Sequence, residues 1–68
     1  MTQKKEKVNT MIKLSYYLGR KVVVNFKSGY TMKGLFEHYK DNEYYLVLRD
    51  GSRSYFKSNT INWIKYKE

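Results

Sequence analysis

Residues 21–34 read KVVVNFKSGYTMKG, two alternating runs separated by Ser28-Gly29. Successive side chains of an extended chain point to opposite faces. Val22, Val24 and Phe26 therefore share one side, and Val23, Asn25 and Lys27 the other. Beyond the turn, Tyr30, Met32, Gly34 and Phe36 alternate against Thr31, Lys33, Leu35 and Glu37. A period of two carried through a glycine turn predicts a hairpin. Gly34 falls inside the second strand, where glycine marks a bulge, a kink or a close backbone approach. A hairpin bent there builds a small, strongly curved barrel.

Working outward, Met1 to Lys7 (MTQKKEK) is a charged arm expected to be disordered, ahead of a single domain over 8–68. Asn9 or Thr10 caps a short helix to about Leu18, with Met11, Leu14 and Leu18 at helical spacing and Val8 packed at its start. Gly19 then supplies a left-handed C-terminal cap. After the hairpin, Tyr39 to Glu43 is a polar turn and Tyr44 to Arg49 a third strand. Tyr44, Leu46 and Leu48 lie on one face of it, with Tyr45, Val47 and Arg49 on the other. Asp50-Gly51 makes a tight turn. Ser52 to Lys57 is the fourth strand, Ser58-Asn59-Thr60 a turn, and Ile61 to Tyr66 the fifth strand. The expected fold class is mainly β: a short N-terminal α-helix, then a five-stranded, strongly bent antiparallel SH3-like small barrel. Its last two strands carry Tyr55, Phe56, Ile61, Trp63, Ile64 and Tyr66, too apolar for edges left bare in water. They close on each other or pair with neighbouring copies, and a head-to-tail pairing of fixed rotation closes a ring.

With 68 residues, this is one domain with a small core, for which self-association is the available stabiliser. It has no cysteine, which excludes disulfides and thiolate metal sites, and no cofactor is expected. Fourteen Lys and Arg against six Asp and Glu give +8, favouring a polyanionic partner: nucleic acid first, an anionic membrane second. No apolar run approaches a membrane span and no signal core follows the first lysines, so a cytoplasmic setting is expected. Eight tyrosines, three phenylalanines and one tryptophan supply packing and, beside lysines, base stacking. His38 is the one histidine; it lacks a nucleophile to serve, and Asp41, Glu43 and Asp50 sit in polar turns. The glycines lack phosphate-loop spacing. An enzyme is not expected, nor is a small-molecule substrate.

Three segments resemble the Sm-like superfamily of Sm, LSm and Hfq proteins. Leu18-Gly19-Arg20-Lys21-Val22, with Val24, Phe26, Lys27 and Gly29, is similar to the helix end and first strand of Sm proteins. Gly29 to Gly34, with Glu37 and Tyr39, is similar to Hfq proteins. Phe56 to Ile61, followed by Trp63-Ile64, resembles the second Sm motif. Together they cover about Val8 to Tyr66.

The resemblance implies a homo-oligomeric ring, hexamer or heptamer, that binds single-stranded RNA and acts as a riboregulator or RNA chaperone. One face would hold a uridine-type pocket of Asp41, Tyr44, Lys57 and Asn59, with Tyr44 as the stacking ring. Here Tyr45 stands where the pattern has Asn, one extra residue separates Gly34 from Asp41, and Ser58 stands where the pattern has Gly or His. Alternation instead turns Tyr44 to the core beside Leu46 and Leu48, and Lys57 is alternatively a solvated strand-end charge. The opposite face would use Tyr30, Met32 and Phe26, with Asn25 in place of the usual aromatic; Tyr30 and Met32 equally suit a core. Arg20 and Lys21 would lie on the rim, or complement the helix dipole. Two other readings stand beside this one: an SH3-like barrel on duplex DNA, and a structural protein–protein interaction module.

Overall fold

The computed structural model describes residues 13–68. Five strands follow one 3₁₀ turn at Leu14–Tyr17: β1 (Lys21–Phe26), β2 (Thr31–Lys40), β3 (Glu43–Val47), β4 (Arg53–Lys57) and β5 (Ile61–Tyr66). A second 3₁₀ turn, Ser58–Thr60, links β4 to β5. All pairings are antiparallel, and the sheet order is β4-β3-β2-β1-β5. The sheet is not closed: β4 and β5 are its two outer strands. The mainly β, five-stranded reading therefore holds.

β2 changes partners along its length. Thr31 to Leu35 pair with β1, while Leu35 to Lys40 pair with β3. Gly34 stands at this changeover, where an added Cβ would lie 2.6 Å from the Val47 carbonyl oxygen. Of the roles open to a strand glycine, the close backbone approach is the one that applies.

Alternation sorts the faces as the sequence requires. Val22, Val24 and Phe26 of β1, Phe36 of β2, Leu46 of β3 and Ile64 of β5 form the buried core. Val22, Val24, Phe36 and Leu46 are completely buried, each contributing about 1.5–3 kcal/mol of transfer free energy. Phe26 meets Phe56 edge-on at 5.0 Å, which draws the inner faces of β1 and β4 together. The Lys27 amide donates to Thr60 O at 2.8 Å and fixes the second 3₁₀ turn against the end of β1.

Two expectations change. Residues 1–12, which include the proposed arm and the start of the predicted helix, lie outside the described residues. Where that helix should continue, Leu14–Tyr17 forms a single 3₁₀ turn. Two adjacent tyrosines favour helix weakly, and tertiary contacts take over: Tyr17 packs on Tyr66 at 4.7 Å, and the Tyr66 hydroxyl donates to Tyr16 O at 3.0 Å. Gly19 does take the left-handed conformation expected of it (φ 74°), and its amide donates to Phe36 O. Secondly, Tyr39 and Lys40 belong to β2, not to a turn. The turn is Asp41-Asn42 alone, with Asp41 at φ 47°, because Lys40 pairs with Glu43 across the tip.

Candidate nucleic-acid interface

One end of the molecule assembles the residues of the expected uridine-type pocket. Asp41 forms the exposed tip of the β2–β3 hairpin, and His38 Nε2 donates to its carbonyl at 3.0 Å, which selects the Nε2-protonated tautomer. Lys57 ends β4 opposite Glu43, and Asn59 is exposed on the following 3₁₀ turn. The Ser58 amide donates to Asn42 O at 2.7 Å, so this turn is tied directly to the hairpin tip. The Thr60 hydroxyl donates to Lys57 O at 2.7 Å and braces the turn from within. Asp41, Lys57 and Asn59, far apart in the chain, thus ring one end of the sheet.

Tyr44 sits deeper than its neighbours. Its ring is half-buried and stacks on Phe36 at 5.1 Å and 7°, with His38 on it at 5.0 Å and 59°. Strict alternation, not a loop bend, decides its direction: it packs against the core with Leu46 and Leu48. The hairpin-tip carbonyl, His38 and Tyr44 form a connected stack leading from solvent to Phe36.

The other expected set is not one surface. Tyr30 is exposed at 65%, but Phe26 is a core residue at 8%. Met32 is half-buried, packed against the core, and its sulfur accepts from Ser54 Oγ at 3.6 Å. Phe26 and Met32 share the inward face that Val22 and Val24 define, so Tyr30 alone of the three is offered to a ligand. Asn25 knits the outer face. Asn62 Nδ2 donates to its Oδ1 at 2.9 Å, and its own Nδ2 donates to Thr31 Oγ1 at 3.0 Å.

Of the two residues expected on a rim, Arg20 lays its guanidinium 4.7 Å from the Tyr66 ring, capping the Tyr17–Tyr66 pair. Lys21 is exposed and borders a hollow of about 720 Å³ whose ionisable lining groups are Lys21, Lys33, Arg49 and Lys67. This hollow, and a binding role for tyrosines 39, 45 and 55 on the outer sheet face, were not expected from sequence. Tyr45 and Tyr55 alternate outward like any polar strand position, and only strand register shows that they adjoin.

No protein-family model, curated protein or solved structure matches the chain.

Proposed function

We propose that this protein is a ring-forming, Sm/Hfq-like binder of single-stranded RNA that acts in post-transcriptional regulation. In this reading the open, bent sheet is a small SH3-like barrel of the Sm type. The observation that carries it is the sheet order β4-β3-β2-β1-β5, which among the described residues leaves β4 and β5 each with one open edge. Both are partly apolar, with Tyr55 and Trp63 exposed at 49% and 40%, and edges of that kind invite strand addition from another copy. β5 of one subunit beside β4 of the next gives a head-to-tail contact that repeats around a closed hexamer or heptamer.

The charge and the loop end supply the ligand. A net +8 attracts a polyanion. Asp41, Lys57 and Asn59, with Tyr44 behind them, would be repeated once per subunit, so that weak contacts add by avidity. Asp41 and Asn59 offer hydrogen bonds to base edges and Lys57 a charge to phosphate. His38 is engaged in bracing the hairpin tip, a use that suits a binding module better than a catalyst. Among the described residues no helix is long and apolar enough to cross a membrane. We place the chain in the cytoplasm, where its RNA partners would be.

Native mass spectrometry of the whole chain, alone and with U-rich and A-rich oligoribonucleotides, tests this reading. A hexamer or heptamer that takes up RNA is expected. A monomer at high concentration, or a ring indifferent to RNA, would refute it.

A further inference from the structure

The outer face of β2, β3 and β4 carries tyrosines that the core does not use. Tyr45 pairs with Tyr55 across β3 and β4, and their rings lie 5.1 Å apart at 38°. Tyr39 meets Tyr55 edge-on, also at 5.1 Å. Tyr39 is 50% exposed and Tyr55 49%. The Arg53 guanidinium lies 4.9 Å from the Tyr45 ring, and Lys40 Nζ lies 5.4 Å from that of Tyr39. Clustered exposed rings flanked by cations have the composition of a surface on which bases stack and phosphates are neutralised.

The neighbouring row strengthens the case. Arg53, Val47, Leu35 and Lys21 are register partners running across β4, β3, β2 and β1. They stand two residues along from the tyrosine row, about 6–7 Å away. Val47, Leu35 and Lys21 line the 720 Å³ hollow, whose four ionisable groups (Lys21, Lys33, Arg49 and Lys67) are all cationic. Gly34, with no side chain, contributes to its wall. The carboxylates on this face are Glu37, opposite Tyr45, and Glu43, opposite Lys57; neither lines the hollow. A ring surface therefore runs directly into a cation-lined depression.

We propose that this outer face is a platform for single-stranded RNA, with bases stacked on Tyr55 and Tyr45 and the phosphate backbone led past Arg53 into the hollow. The assignment is separate from the loop-end site and does not depend on ring formation. A second copy laid on this face is the poorer occupant, since it would bring another surplus of positive charge against the four cations of the hollow; the proposed ring joins copies by their strand edges, not by this face. A duplex is also poorer, because its base faces are already stacked.

A 4-thiouridine-containing dodecamer RNA, cross-linked to the intact protein and mapped by mass spectrometry, tests the platform alongside fluorescence anisotropy. Cross-links at Tyr45 or Tyr55 are expected. Tyr55→Leu should weaken binding about tenfold while Tyr55→Phe binds as wild type. Lys33→Gln with Lys67→Gln should reduce the salt slope of log affinity by about one to two. Thermal melts by circular dichroism confirm that each variant is folded. Unchanged affinity of Tyr55→Leu, cross-links confined to residues 41–44 and 57–59, or binding to phosphatidylserine vesicles but not to the RNA would each overturn the proposal. Cross-links at the loop end alone would leave the proposed function standing, whereas a monomer cross-linked at Tyr55 would do the reverse.

Discussion

The Ser58 amide and the Asn42 carbonyl, 2.7 Å apart, weld the tip of one hairpin to the turn that follows the fourth strand. Two loops separated in sequence are therefore tied together. Ser58 opens its 3₁₀ turn after an extended Lys57 (φ −96°, ψ 148°), a setting that accepts proline. Ser58→Pro deletes the donor and sets the ring Cδ where its hydrogen stood, against the Asn42 carbonyl, so the two loops must part. It should cost about 1–3 kcal/mol in chemical denaturation, and loosen RNA at the loop end several-fold by anisotropy. Cross-linking at Tyr55 should be unaffected.

Gly34→Ala should destabilise the protein by about 1–3 kcal/mol. The new methyl would meet backbone, the Val47 carbonyl oxygen at 2.6 Å and carbon at 3.2 Å, which cannot swing aside as a side chain would. A urea titration measures the loss directly. A stability equal to wild type would show that β2 and β3 do not approach so closely.

Tyr44 has two possible duties that substitution can separate. Tyr44→Ala removes a ring stacked on Phe36 and should cost about 2 kcal/mol, less than a wholly buried aromatic because Tyr44 is half-exposed. Tyr44→Phe keeps the stack and should stay within about 0.5 kcal/mol of wild type. RNA affinity should be compared well below the melting temperature of the alanine variant, so that unfolding does not pass for lost stacking.

The turn between β3 and β4 carries a pH dependence. Asp50 Oδ1 accepts from the Ser52 hydroxyl at 2.6 Å and the Ser52 amide at 3.0 Å, and these bonds hold its pKa below the ordinary 3.8. A carboxylate with a depressed folded-state pKa stabilises the fold above its unfolded pKa. That support is lost as pH falls through the lower, folded value. Asp50→Ala should melt below wild type at pH 7, with the gap closing in strongly acidic buffer. A gap independent of pH would mean that the charge is not involved.

The strands were legible because alternation and glycine speak for local geometry. Val22, Val24 and Phe26 pointed inward as their spacing demanded, and Gly34 marked the contact with β3. The same alternation places Tyr44 against the core and Phe26 within it. What sequence could not supply was the relation between strands. The Tyr45–Tyr55 contact needs a register, and the cationic hollow gathers Lys21, Lys33, Arg49 and Lys67 from four separate segments. The turn at Asp41 was drawn too wide because Tyr39 and Lys40 are polar enough for a loop, yet cross-strand pairing extends β2 through them. The Leu14–Tyr17 segment departs from helix because its tyrosines find partners on β5.

The pairing of Val22 with Tyr66 and of Val24 with Ile64 has a consequence for biosynthesis. A strand near the start of the described chain waits for one made forty or more positions later, and long-range closure of this kind is slow. The nascent polypeptide cannot seal its interior until β5 has left the ribosome. A chain ended before Ile64 would leave Val22 and Val24 without their β5 partners and the core without Ile64, a substrate for proteases.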